Sequence, residues 1–268
     1  MPPAPRRPRS RSYDPAKVRA ALTGEMAVVR GLVSALCATP EAADLLARRP
    51  RAGAPTAREL ILRLAGDMEA AAGRLVADSA PAKADTGIHE YLAAGLPDDA
   101  PAEAPEIPEQ PLHARVDDAA ARLTAALDDP HSAAAVTTPA GTLTVTDFLL
   151  ARLLTTVLHA EDLAAATGAP VPHGRQALAT VTRLLADALA AKAPGGSVEV
   201  RIPPFAVVQC VAGPKHTRGT PPNVVETDPL TWLRLATGRT DWATAVDQAA
   251  VAASGERADL SAQLPLLI

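Results

Sequence analysis

The sequence predicts a multi-domain protein, an antiparallel four-helix bundle over residues 14–193 followed by a small α+β domain over residues 196–268. Two features of the pattern and one of the composition point there. Apolar residues recur at helical intervals through the first part, and the period changes from near 3.6 to 2 at Gly195-Gly196. The chain also holds 60 alanines against six aromatic residues, so its core is built from small and aliphatic side chains, which suits helices. A length of 268 residues accommodates two domains of ordinary size.

Residues 1–13 form a basic tail with Arg6, Arg7, Arg9 and Arg11 among prolines and serines, expected to be solvated and disordered. Asp14-Pro15 is a helix start, an acceptor side chain ahead of a residue whose missing N–H costs nothing at the first helical position, and that helix runs to about Leu36. Thr56-Ala-Arg-Glu59 has capping-box spacing, with Leu60, Ile61, Leu64 and Met68 following at helical intervals. From Asp85 to Asp129 there are 11 acidic residues against two basic ones, and five prolines between Pro97 and Pro111 break any helix there. The stretch 85–111 therefore reads as an acidic, proline-rich surface loop. Helical pattern resumes over residues 112–127 and 146–166, the latter ended by Gly168, and a last long helix covers 175–192. Long helices with one long connection suit an antiparallel bundle. Beyond Gly196, Val198, Val200 and Ile202 alternate with Glu199 and Arg201, residues 205–211 form a second strand, and 223–227 a third. Asp228-Pro229 opens a helix through Ala236, Thr240 caps another, and residues 251–254 close the α+β pattern with a last strand.

With 26 basic and 30 acidic residues the net charge is −4, too balanced for the field that draws nucleic acid or an anionic membrane. No apolar run reaches the ~18 residues of a membrane span, and the arginine-rich start lacks the apolar segment of a signal peptide, so a cytoplasmic location is expected. Cys37 and Cys210 have no Cys-x-x-Cys spacing, which excludes a disulfide framework and a thiolate zinc knuckle and leaves two buried thiols. Phosphate-cradling Gly-x-x-x-x-Gly-Lys, Gly-x-Gly-x-x-Gly, Gly-x-Ser-x-Gly and His-Glu-x-x-His motifs are all missing.

Among the histidines, His113, His131 and His173 fall at loop or helix edges with no ligand-type neighbour and read as surface residues, and His89 beside Glu90 is no more informative. His159 differs, because it lies inside an apolar helix after Thr155-Thr-Val-Leu and before Glu161, Asp162 and Leu163. An imidazole lining a bundle can hold a metal, but zinc needs at least two further protein ligands, and one turn back stands Thr155, a poor one. The competing reading is a core histidine bonded locally, with Asp162 as its partner one turn on.

Residues 14 to about 192 resemble the DinB-like, metal-binding helical domain of the mycothiol-dependent maleylpyruvate isomerase family, through Thr56-Ala-Arg-Glu-Leu-Ile-Leu-Arg-Leu-Ala65 and His159-Ala-Glu-Asp-Leu163. The resemblance implies a metal held by a histidine on the second helix, a later histidine, and a glutamate four residues before it. Arg63 and Thr155 stand in two of those places, so only His159 is kept, and Pro55 replaces the tryptophan that often precedes the first motif. A guanidinium cannot be deprotonated in a protein and sets a positive charge where a cation belongs. The metal site is expected to be degenerate and no cofactor is expected, a misalignment by one turn or other ligands such as Glu59 and Asp67 being the ways in which a site would still form. The alternative is a divalent metal such as zinc acting with mycothiol.

The second domain resembles the bacterial sterol-carrier-protein orthologue domain, through Ser197-Val-Glu-Val-Arg-Ile-Pro-Pro-Phe205, the segment from Gly213 to Gly238, Trp242, Ala253-Ser-Gly-Glu-Arg-Ala-Asp-Leu260 and Pro265-Leu-Leu267. Bundle and tail together resemble actinobacterial sterol carrier family proteins. What this implies is a twisted sheet covered by helices around an apolar cavity for an acyl chain or sterol. Phe205, Val207, Val208, Trp232, Leu233, Leu235, Trp242 and Val246 are the residues available to line it, with ordinary core packing the competing role of each. His216 and Arg218 lie with Asn223, the only asparagine, in a loop stiffened by Pro221-Pro222. They either hold an anionic head group or dock on the helical domain, or else Arg218 pairs with Glu226 or Asp228, Asp228 caps a helix and Asn223 makes a turn.

Three functions follow as expectations, with no catalytic residue assigned. The favoured one is non-catalytic binding of a hydrophobic, acyl or sterol-like small molecule, without nucleic acid or a membrane span and with the oligomeric state left open. The others are a mycothiol-dependent metal enzyme using His159 and a protein-interaction module without a ligand.

Overall fold

The computed structural model describes residues 11–77, 83–95, 110–129, 135–214 and 222–267. Most of the basic tail, His131, residues 96–109 of the acidic loop, and His216 and Arg218 lie outside the described residues. The chain divides into two compact units, one holding Asp14 to Ala177 apart from Leu92–Gly95, the other holding Leu178 onward.

The helical unit begins with α1 (Pro15–Ala38), whose Asp14 cap accepts from the N–H groups of Ala16 at 2.9 Å and Lys17 at 3.3 Å. By length and composition α1 could cross a membrane, but Val18, Leu22, Val29 and Val33 are buried as in the core helix of a packed protein. A short α2 (Ala42–Ala47) leads to α3 (Ala57–Leu75). The predicted capping box is formed there, Thr56 Oγ1 accepting from Glu59 N and Glu59 Oε2 from Thr56 N. Part of the expected loop 85–111 is not irregular, because Ile88–Ala93 forms α4 and buries Tyr91 and Leu92. Before it, Asp85 and Thr86 hydrogen-bond to Thr142 of a two-stranded hairpin, β1 (Ala135–Thr138) and β2 (Gly141–Thr144), which the periodicity does not announce in strands of only four residues. Between them lies α5 (Leu112–Asp128), and α6 (Val145–Thr167) follows, ended by Gly168 at a φ of 77°. Helices α1 and α3 each pack against both α5 and α6, burying Leu22, Val29, Leu64, Leu123, Leu150 and Leu153.

Helix α7 (Arg175–Lys192) was expected to belong with the bundle, with the boundary at 193–196; from Leu178 onward it belongs instead to the second unit. Arg183 Nε donates to Phe205 O at 3.0 Å and Lys192 Nζ to Pro265 O at 2.9 Å, both within that unit. The Gly195 signal has a different physical cause. A Cβ there would lie 1.8 Å from Val211 O, so the glycine permits two backbone segments to touch.

The sheet of the second unit comprises β3 (Val198–Ile202), β4 (Ala206–Cys210), β5 (Val224–Thr227) and β6 (Val251–Ser254), in the order β4-β3-β5-β6 with only the β3-β5 pair parallel. Alternation holds: Val198, Val200 and Ile202 are buried, while Glu199 and Arg201 are half-exposed and joined by a 2.7 Å ion pair. Helix α8 (Pro229–Ala236) is capped by Asp228, as expected, and α9 (Trp242–Asp247) by Asp241 rather than Thr240. Asp241 Oδ1 accepts from Thr244 N at 2.8 Å, a hydrogen bond that fixes the first turn. Cys210 is buried and its thiol is pushed up to about 11 by that burial, whereas Cys37 is half-buried, with its thiol raised for the same reason.

Candidate functional site

On α6 the residues Arg152, Thr155, Thr156 and His159 recur at intervals of three and four, which puts them on one helix face. Opposite, α3 presents Asp67, itself one turn beyond Arg63. His159 Nδ1 lies 3.6 Å from Asp67 Oδ2, and both side chains are largely buried. Asp67 also lines a small cavity with Arg152, Thr155, Thr156, Leu64 and Leu123. Its volume is about 10 Å3, room for roughly one water molecule.

Sequence reasoning identified His159 and offered Asp162 as its partner, but missed its pairing with Asp67. Asp162 turns to Arg51, at 3.0 Å, while Asp67 faces the imidazole. The signal for Asp67 was its place four residues beyond Arg63, on the helix face that also carries Leu60 and Leu64. Arg63 is exposed to solvent, whereas Arg152 of α6 and Arg115 of α5 are buried, and it is Arg152 that lines this cavity. Its Nη2 lies 3.4 Å from Tyr91 Oη and its guanidinium carbon sits 5.4 Å from the centre of the Phe148 ring. Glu59 is engaged in its capping box and lies outside this cluster.

The donors present do not suit a divalent cation. Asp67 and His159 supply two ligands, the Thr155 hydroxyl donates to Ala151 O at 3.1 Å, and the cationic Arg152 shares the cavity. Among the described residues no group of three or more His, Cys, Asp or Glu side chains is placed to hold a metal.

A second cluster was missed altogether. His173, expected at the surface, has a side chain only 3% exposed and lies between Glu25 of α1 and Glu161 of α6. Glu25 Oε2 also accepts from Gly174 N at 3.2 Å. Nothing in the sequence marks this, because the partners stand 148 and 12 residues away.

In the second unit Trp232, Leu233 and Leu235 are buried, Phe205, Val208 and Trp242 are half-buried, and Val207 and Val246 are exposed. Those two valines line no interior. Asn223 is a structural bridge, its Nδ2 donating to Ser197 O at 2.8 Å and its Oδ1 accepting from Arg257 N at 3.0 Å. Glu226 lies 4.0 Å from Arg201. The indole N–H of Trp232 on α8 is buried and has no acceptor among the described residues.

Comparison with known proteins places these features. Residues 174–266 match the family described as bacterial SCP ortholog, a segment that starts with α7 and so follows the structural unit rather than the change of period. The fold of the chain is similar to crystal structures of the mycothiol-dependent maleylpyruvate isomerase. A histidine-to-alanine mutant aligns with a TM-score of 0.55 at 16% identity, over 90% of this chain and 94% of that one. The unmutated form gives 0.54, with the same identity and coverage. No curated protein sequence matches.

Proposed function

We propose that the C-terminal unit binds a hydrophobic small molecule carrying an oxygen acceptor, of the acyl or sterol-like class, and that the helical unit, an isomerase-like bundle, takes no catalytic part in this. The observation that carries the reading is the Trp232 indole N–H, 1% exposed and without an acceptor among the described residues. A buried donor left unsatisfied costs about 1–3 kcal/mol, and an apolar core of this size has little to offset it. A carbonyl, carboxyl or hydroxyl oxygen of a bound ligand removes that cost while its apolar part replaces contacts with water. The match of residues 174–266 to a sterol-carrier orthologue family supports the same class of ligand.

Solvent extraction of the purified full chain followed by mass spectrometry tests for a co-purified lipid. Titration with palmitate, followed by the fluorescence of Trp232 and Trp242, tests for binding directly. Trp232→Phe keeps the apolar bulk and removes the donor, so it should weaken palmitate binding by about tenfold, the loss of one hydrogen bond. Absence of any lipid and of any palmitate response sinks the proposal.

A second reading, a metal-dependent enzyme, draws on the Asp67–His159 pair, two metal-type donors that face each other although the set is incomplete. Stoichiometric zinc in protein prepared without chelator, lost on His159→Ala, would reverse the preference.

A further inference from the structure

Helices α1 and α5 leave an open groove of about 520 Å3 between them on the surface of the helical unit. Met26 and Ala120 form its floor, and Thr23, Ala27, Ala121 and Ala125 its walls. Gly24 and Gly31 stand on the exposed side of α1, where an added Cβ would meet nothing within 4 Å. Glycine weakens a helix interior, and no packing among the described residues calls for it at either position.

The two walls differ in charge. The exposed ionic residues of α1 are Lys17, Arg19 and Arg30, since its one carboxylate, Glu25, is buried against His173. Helix α5 presents Asp117, Asp118 and Asp128 with one cation, Arg122. An isologous interface must be complementary to its own two-fold image. A groove with one cationic and one anionic wall meets that condition when the two-fold axis runs along it, because α1 of each copy then faces α5 of the other. Setting α1 on α1 would oppose cations.

We propose that this groove is the interface of a homodimer, with α1 of one copy lying against α5 of its partner. The small residues along the groove let the helix backbones approach closely. The 24 residues of α1 and the 17 of α5 make helices about 36 and 25 Å long, each about 10 Å wide. They offer about 600 Å2 per copy, at the lower edge of specific interfaces, so the dimer is a reversible one. Arg30–Asp117 at 2.6 Å and Arg19–Asp128 at 3.9 Å are exposed pairs within one copy, which contribute little to its folding and can exchange across the two-fold.

The experiment is sedimentation equilibrium on the full chain and on two charge-reversed forms, Arg19→Glu/Arg30→Glu and Asp117→Arg/Asp128→Arg. The wild type is expected to be dimeric at about 100 µM. Each variant opposes like charges across both halves of its own two-fold and should raise Kd at least tenfold. An equimolar mixture of the two restores unlike pairing on both sides and should dimerise like the wild type, which a folding defect in either variant could not produce. A wild type that stays monomeric overturns the proposal. So does a dimer unaffected by either variant, or a mixture that remains monomeric.

Discussion

Nδ1 of His173 lies 2.6 Å from Glu25 Oε1 while its Nε2 lies 3.0 Å from Glu161 Oε1, so one imidazole ties the loop after α6 to both α1 and α6. Two carboxylates can both be satisfied only if both ring nitrogens donate, which requires the imidazolium. Burial alone lowers the pKa of His173, but the hydrogen bonds to Glu161 and Glu25 and their charges outweigh it and raise it to about 9.

The sign of the pH dependence follows. A folded-state pKa above the unfolded value of about 6.5 gives stability that is complete below pH 6.5 and lost as pH rises through 9. Urea unfolding should show the wild type losing on the order of 2 kcal/mol more than Glu25→Gln between pH 7 and pH 10. Parallel curves for the two proteins would remove the clamp from the account. At pH 7, Glu25→Gln should itself cost about 3 kcal/mol, as breaking a buried ion pair does.

The two-donor cluster around His159 makes a constructive prediction. Thr155→Glu places a carboxylate one turn from His159 and facing Asp67, and Arg152→Met removes the cation from the same cavity. The double variant should acquire zinc binding, seen as a rise in thermal midpoint with added zinc. Zinc at about 100 times Kd would contribute about 2.7 kcal/mol. The wild type should show no such rise.

Trp232 separates packing from hydrogen bonding. Trp232→Ala should cost about 3–5 kcal/mol in denaturant unfolding, because it empties a core site. Trp232→Phe should stay within about 1 kcal/mol of the wild type in the ligand-free protein, since the lost volume is offset by removal of the buried unsatisfied donor. A large loss in Trp232→Phe would mean that the N–H has an acceptor in the free protein.

Asn223 should behave as a bridge. Asn223→Asp turns its donor into an acceptor facing Ser197 O, and chemical denaturation should register a loss of about 2–3 kcal/mol. Gly255→Ala tests the same corner, since φ is 104° and a Cβ would meet Pro222 O and Asn223 Oδ1. Thr56→Ala, which removes only a helix cap, should cost about 1 kcal/mol.

The signals that could be read directly were local ones. Asp14, Thr56 and Asp228 declare their helices because a cap and the N–H groups it satisfies lie within three residues. The alternation of Val198, Val200 and Ile202 declares its strand because burial of one sheet face imposes a period of two. Short motifs also carried the resemblance to the isomerase fold and to the sterol-carrier orthologue domain, which the fold likeness and the match of residues 174–266 bear out.

What the sequence by itself determined, then, was the long helices and the strands of the second unit, though not α4 or the β1–β2 hairpin, and that His159 sits in an apolar helix lacking its expected partners. Only tertiary structure decided which carboxylate meets which imidazole. Asp67 of α3 reaches His159 of α6, and His173 is buried between glutamates from two helices. It also decided that α7 packs with the second unit from Leu178 onward and that Arg152, not Arg63, shares the cavity with Asp67. The reason is that caps and periodicity are satisfied by neighbours along the chain, whereas the pairing of buried charges is chosen by the low dielectric of an interior that exists only after the helices have packed.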